Sequence, residues 1–230
     1  MPLYRLPDEI VFPSPDLAGA DGLLAVGGDL SEERLILAYS LGIFPWYSDG
    51  MPILWWSPDP RLVLLPAEMR ASRSLRQTIR RRKYRVTFDT AFEDVVRNCA
   101  AMPRRDGRGT WITDDMMEAY CRLHEDGFAH SVESWYGNEL AGGLYGVSLG
   151  AAFFGESMFA KHSDASKVAL AGLVERLKCI ESAFIDCQVV TAHLVSLGAR
   201  QVPRKEFAGM LERAVEVPIP PGKWETTGVA

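Results

Sequence analysis

Cysteine is sparse in this chain and scattered where it occurs. Cys99, Cys121, Cys179 and Cys187 form no Cys-x-x-Cys pair, so neither a disulfide-framed scaffold nor a zinc module is suggested. No apolar run approaches the roughly 20 residues that span a bilayer. The opening Met1-Pro2-Leu3-Tyr4-Arg5 leads into proline and aspartate, not into the apolar core of a signal peptide. The expectation is therefore a soluble protein of the reducing cytoplasm, neither secreted nor anchored. Internal repeats and low-complexity segments are missing as well. One stretch lacks acid altogether: residues 70–85 carry eight basic side chains and no Asp or Glu, in a chain whose net charge is −5. Such segregation predicts an anion-binding patch on an acidic body, so a polyanion and a cationic partner are both accommodated.

What is present suits one large domain, or a small one followed by a medium one: 230 residues, 47% of them hydrophobic and 24% charged. The first sixty residues are rich in Pro, Gly and Trp and hold one clear helix, with Ser31 as N-cap, Glu32 and Glu33 in its first turn and Gly42 as its stop. Trp46, Trp55 and Trp56 stand among turn-formers. They are either the core of a small lobe or indoles that stack on a nucleic-acid base. From Arg61 onward strands and helices alternate. A helix over residues 73–82 sets Arg73, Arg76, Arg80 and Lys83 on one face and Ala71, Leu75 and Ile79 on the other, leaving a basic stripe for solvent or phosphate. Thr90-Ala91-Phe92-Glu93 reads as a capping box, and Thr113 with Asp114 and Asp115 opens a further helix that Gly127 closes. Strands at 130–136, 139–147 and 151–159 follow, joined by tight turns. A helix with Leu170, Leu173, Leu177 and Ile180 on one stripe comes next, then a strand over 183–189.

Two apolar runs carry charge. In Phe153-Phe154-Gly155-Glu156-Ser157-Met158-Phe159 an ionised Glu156 pays for desolvation unless a cation or hydrogen-bond donor, such as a substrate amine or hydroxyl, meets it. In Phe184-Ile185-Asp186-Cys187-Gln188-Val189-Val190, strand alternation points Asp186 and Gln188 to one face. The plainer alternative is that these are polar residues of edge strands, facing water.

An antiparallel meander followed by a crossover strand predicts an α+β domain with a mixed sheet, and its order resembles the GNAT acyltransferase fold. Arg104-Arg105-Asp106-Gly107-Arg108-Gly109 matches the acetyl-CoA pyrophosphate signature literally. It follows a helix instead of a strand, however, and reads as a basic loop.

Gly42 to Trp46, Ile53 to Arg61, Gly109-Thr110-Trp111-Ile112-Thr113, Gly155 to Phe159 and Asp186-Cys187-Gln188, in that order, give a specific match over nearly the whole chain. The sequence closely resembles the bacterial leucyl/phenylalanyl-tRNA-protein transferases. The resemblance implies a small N-terminal α/β domain (1–62) and a GNAT-like aminoacyltransferase domain (63–230) that uses no metal or coenzyme. Its implied partners are aminoacyl-tRNA carrying Leu, Phe or, less readily, Met, and acceptor proteins that begin with Arg or Lys and are thereby marked for degradation. It further implies that Asp186 and Gln188 are the catalytic pair and that Glu156 holds the aminoacyl-adenosine end. Trp46, Trp111 and Tyr120 would surround the terminal adenosine. Leu144, Phe153, Ser157, Met158, Leu170 and Ile185 would receive the transferred amino acid, with Leu173 and Leu177 where some relatives carry aromatics. Arg76, Arg80 and Lys83 would meet the acceptor stem.

That chemistry needs little machinery. The ester is already activated, so the enzyme aligns an amine with the carbonyl, removes a proton and stabilises the oxyanion. An N-terminal amine of pKa ~8 is largely protonated at neutral pH and is drawn to a carboxylate, with Asp186 expected opposite Glu156 at the pocket mouth. Whether Asp186, Gln188 or the ribose hydroxyl handles the proton is open at this point. Leu, Phe and Met are apolar and unbranched at Cβ, so a methionine-lined pocket admits all three and crowds Ile and Val. Two other readings remain: a small-molecule N-acetyltransferase, and a non-catalytic RNA-binding module.

Overall fold

A computed structural model describes residues 3–102, 112–181 and 183–225. The Arg104–Gly109 stretch and Trp111 lie outside the described residues. Two sheets follow one another along the chain. Strands Tyr4–Leu6 (β1), Leu23–Gly27 (β2), Phe44–Pro45 (β3) and Leu54–Trp56 (β4) form the first, in the order β1-β2-β4-β3, with helix Glu32–Ser40 (α1) between β2 and β3. Trp55 is fully buried there and donates its indole N–H to the Gly27 carbonyl at 2.8 Å, which makes it a core residue of this lobe. Trp46, by contrast, is 41% exposed.

The second sheet contains Arg61–Leu64 (β5), Arg85–Phe88 (β6), Ala129–Tyr136 (β7), Glu139–Leu149 (β8), Ala152–Ala160 (β9), Phe184–Gln188 (β10) and Arg200–Val202 (β11), in the order β11-β5-β10-β9-β8-β7-β6. Strands β6 to β9 pair antiparallel in sequence order; two helices separate β6 from β7, and tight turns join β7 to β8 and β8 to β9. The chain then crosses over through helix Ala165–Leu177 (α5) and β10 returns parallel to β9. This is the expected α+β class with a mixed sheet. The division expected at residue 62 falls inside β5.

Helices cover both faces of this sheet. Adjacent glycines on β8 show how closely: a Cβ on Gly142 would meet Ala165 of α5 at 2.7 Å, and one on Gly143 would meet Val95 at 3.2 Å from the opposite side. Val95 belongs to helix Phe92–Ala101 (α3). On that second face lies also Asp114–Glu125 (α4), capped as expected by Thr113, whose hydroxyl accepts from Met116 N–H at 3.2 Å. Helix Arg73–Arg80 (α2) packs beside α5, and Ala192–Ser196 (α6) and Arg204–Val215 (α7) complete the described helices.

Two local expectations change. The basic helix stops at Arg80, because Arg82 adopts a left-handed φ of 48° that ends it, so Lys83 lies beyond the helix. Thr90 does not cap α3. Ala91 occupies the cap position, and the Thr90 hydroxyl donates to buried Glu133 at 2.9 Å. That carboxyl group also accepts from Thr87 and Ser131, and a buried polar group needs such donors more than a helix end needs one cap. All four cysteines are unpaired, and among the described residues no helix is long and apolar enough to cross a membrane.

Candidate active site

Neither Glu156 nor Asp186 is an edge residue. Their strands, β9 and β10, are neighbours in the interior of the seven-stranded sheet, and the two side chains are 8% and 0% exposed. Each strand breaks its pairing register at the functional residues. Opposite β9, β8 shifts between Tyr145 and Gly146, leaving Glu156 as the extra residue between Gly155 and Ser157. On β10 the register shifts between Asp186 and Gln188, and Gln188 takes a φ of +60°. Bulges of this kind re-aim side chains that strict alternation would send elsewhere. The glycine at 146 permits the first, since a Cβ there would overlap the Phe154 carbonyl.

The second bulge corrects the expectation that Asp186 and Gln188 share one face at the pocket mouth. Ile185, Cys187 and Gln188 line a cavity of about 340 Å³ beneath α5 and α6, whereas Asp186 is not part of its wall. Its carboxylate is held by Arg61 in a bidentate pair, Nε to Oδ1 at 2.8 Å and Nη2 to Oδ2 at 2.7 Å. Arg61 is itself 1% exposed and lies between the rings of Phe44 and Phe207, 4.8 and 4.7 Å from their centroids. Asp186 also meets the bulge, where its Oδ1 accepts the Gln188 backbone N–H at 2.8 Å.

Glu156 is the carboxylate that reaches the cavity. Gln188 Nε2 donates to its Oε1 at 2.8 Å, Tyr39 Oη lies 2.8 Å from Oε1, and Tyr120 Oη lies 2.8 Å from Oε2. An ionised carboxylate has about four acceptor sites, and these described partners take three of them. The two phenol oxygens are also 2.5 Å from each other. Two phenol protons fill two links of this Tyr39–Tyr120–Glu156 triangle, and a proton on Glu156 fills the third. Burial makes that proton available near neutrality, since it pushes the Glu156 pKa up to about 7, with the Asp186 charge adding to the rise and the Tyr120, Tyr39 and Gln188 bonds opposing it. Both phenols are raised well above the usual tyrosine range, first by burial and then by the Glu156 charge, so they stay neutral.

The cavity wall holds most of the expected pocket residues: Leu144, Phe153, Ser157, Met158, Leu170 and Ile185, with Leu173 beside them. Leu144 and Met158 face each other across β8 and β9. Tyr120 is placed behind Glu156, not on the wall, and Trp46 projects from the small sheet, its ring 5.7 Å from that of Trp56. Leu177 is buried but lies outside the cavity lining. Arg76, Arg80 and Lys83 are exposed, on or just past a helix that packs against cavity-lining α5. Sequence reasoning missed Tyr39 and Arg61. The signal for Arg61 was present, a lone cation at the head of the apolar run Arg61-Leu62-Val63-Leu64-Leu65, the counterpart of Asp186 in its own run. His193 also went unnoticed; it lines the cavity from α6, and burial lowers its pKa, with Lys167 adding to the effect.

Comparison with known proteins gives the family. Residues 63–212 match the family described as leucyl/phenylalanyl-tRNA protein transferase, and residues 28–59 match the leucyl/phenylalanyl-tRNA protein transferase N-terminal domain. The leucyl/phenylalanyl-tRNA–protein transferase of Desulfatibacillum aliphaticivorans is 60% identical over 224 residues, covering 97% of this chain and 96% of its own. That of Anaeromyxobacter sp. (strain Fw109-5) is 61% identical over 225 residues, 98% and 96% of the two chains. The Myxococcus xanthus (strain DK1622) protein of the same name is 56% identical over 232 residues, 100% and 99%. With a family match over residues 63–212 and identity of this order over nearly the full length of both chains, the chain belongs to the leucyl/phenylalanyl-tRNA–protein transferase family.

Proposed function

We propose that the Glu156–Gln188 junction is where the chain moves Leu or Phe, and less readily Met, from aminoacyl-tRNA to the α-amine of proteins beginning with Arg or Lys. The observation that carries this reading is an apolar cavity of amino-acid size that ends on one incompletely occupied buried carboxylate. The transferred side chain occupies the cavity, and the ester carbonyl lies at Glu156 and Gln188. The acceptor amine attacks the carbonyl carbon, the bond to the ribose oxygen breaks, and the amine's proton ends on that oxygen. Glu156 is suited to relay it, because a group raised to about 7 is matched to an amine of pKa ~8. Gln188 positions the reacting groups, and Asp186 acts behind it by holding the bulge.

We read the larger unit as GNAT-like. In support, the pairing of β9 with β10 ends at Phe154↔Asp186 although β9 runs on to Ala160, and a parallel pair that parts in this way opens the sheet at the reacting centre. Division near residue 62, a cytoplasmic location where charged tRNA is available, and a place for the terminal adenosine near Trp46 belong to the same proposal. Labelled Leu-tRNA, labelled acetyl-CoA and an Arg-starting peptide test it together. Label reaching the peptide from tRNA supports the reading; label only from acetyl-CoA, or tRNA binding without transfer, overturns it.

Two further outcomes are expected. Neutralising Arg76, Arg80 and Lys83 lowers affinity for all aminoacyl-tRNAs alike and flattens the dependence of binding on salt, as phosphate contacts that position without reading sequence require. Filter binding from low to high salt checks this, and an unchanged slope removes the stripe from the interface. Met158→Ala and Leu170→Ala change the ranking of Leu, Phe and Met more than tRNA affinity, since a methylene-scale change in a pocket is worth about 1–3 kcal/mol. Equal losses for the three amino acids would assign both side chains to packing alone.

A further inference from the structure

The segment after α7 crosses the end of the sheet and is fastened at two points. Gly222 N–H donates to the Gly127 carbonyl at 3.1 Å, and Trp224 N–H donates to Asp89 Oδ2 at 2.6 Å. Asp89 is committed to this task. It takes a φ of +54°, its side chain is buried, and it also accepts from Ser131 N–H and pairs with His130 Nδ1, both at 2.8 Å. The result is a slot for one indole. The His130 ring stacks on Trp224 with centroids 4.0 Å apart and planes 7° apart, and the Arg176 guanidinium lies 4.4 Å from the Trp224 ring centroid. Phe88 meets the indole edge-on at 6.1 Å. Such stacking and cation–π contacts fix a ring more firmly than apolar burial alone.

The indole also meets Phe153, at 5.8 Å between centroids. Phe153 is fully buried and lines the amino-acid cavity, so its ring has the cavity on one side and Trp224 on another. We propose that Trp224 is a specificity-positioning residue, which sets the depth of the amino-acid cavity by holding Phe153 against it from behind. This rests on reading that cavity as the amino-acid pocket. The tail thereby contributes to substrate choice without touching substrate. With the indole removed, Phe153 gains space into which to withdraw, and a deeper floor favours the longer phenylalanyl side chain over leucyl.

The test compares Trp224→Ala, Trp224→Phe and Phe153→Leu with the unaltered full chain, measuring kcat/KM for Leu-tRNA and Phe-tRNA in parallel with an Arg-starting peptide. The main-chain N–H to Asp89 survives every change at 224, so the tail keeps its anchor. In Trp224→Ala the Phe-to-Leu ratio is expected to rise about five-fold or more, within the range for small changes of pocket size. Trp224→Phe, which restores a ring in the slot, returns it most of the way. If Phe153→Leu moves the ratio and Trp224→Ala leaves it within two-fold, the role of Trp224 is overturned and the pocket stands. Should neither move it, the pocket reading falls and this proposal with it. If Trp224→Ala fails to fold, Trp224→Leu is read by the same criteria. Equal losses for both tRNAs in the Ala and Phe variants, with the ratio unchanged, would make the residue merely structural.

Discussion

Glu156→Gln is expected to slow single-turnover transfer at pH 8 by on the order of 10²-fold, the range for a lost proton-relaying group, with aminoacyl-tRNA still bound. The amide retains the shape of the side chain and partners for Tyr39, Tyr120 and Gln188, but it has neither charge nor a titrating proton. The pH profile sharpens the test. Transfer by the unaltered protein rises through about pH 7 as Glu156 ionises, and the variant loses that limb while keeping the one from the acceptor amine at pKa ~8. Stability carries the same signature. The Glu156 pKa rises from 4.5 unfolded to about 7 folded, so between those values the native state holds a proton that the unfolded state has released. The favourable contribution is complete below pH 4.5 and lost as pH rises through 7, a change of roughly 3 kcal/mol. Glu156→Gln, always neutral, escapes that loss, and urea denaturation at pH 5 and pH 8 reads the difference. A variant within a few-fold of normal transfer at pH 8, with the profile unaltered, would remove Glu156 from the proton path.

Asp186→Asn is expected to act mainly on folding, with a loss of about 3–5 kcal/mol. The substitution leaves the Arg61 guanidinium, 1% exposed and enclosed by two rings, without its counter-charge, and burying an unpaired ion costs more than the pair contributes. From sequence alone the same change predicts a folded protein with slow transfer, because Arg61 is absent from that picture. Replacing both residues together, as Arg61→Met with Asp186→Leu, is expected to recover most of the lost stability. Urea or thermal unfolding of the single and double variants decides the matter. A single variant within 1 kcal/mol of the unaltered protein would show that water reaches the pair.

The contrast between these two carboxylates shows how far the sequence could be read. Both were visible as charges in apolar runs, but the runs alone left open whether their strands lie inside the sheet or at its edge. Their partners were not visible, since Tyr39 is 117 residues from Glu156 and Arg61 is 125 from Asp186 along the chain. The α+β order and the meander followed from periodicity, which is local, whereas the residues of the cavity wall came from the family resemblance. The expectation that Asp186 and Gln188 share one face failed for a reason periodicity cannot register: one extra residue in a strand exchanges its faces. Thr90 illustrates the same limit at smaller scale, a cap signature overridden by a buried acid 43 residues away.

The Arg61 sandwich also bears on how the molecule opens. Phe44 belongs to the small sheet, Phe207 to the last helix and Asp186 to an interior strand of the large sheet, and one guanidinium touches all three. Tyr39, from the same early segment as Phe44, closes the hydrogen-bond triangle at Glu156. Amide hydrogens of α1 and of β10 are therefore expected to exchange with solvent at a common slow rate, as a single cooperative unit. A fragment beginning at residue 63, although it retains Glu156, Gln188 and the cavity, lacks Tyr39, Phe44 and Arg61 alike, and should behave as an unfolded chain instead of a minimal transferase.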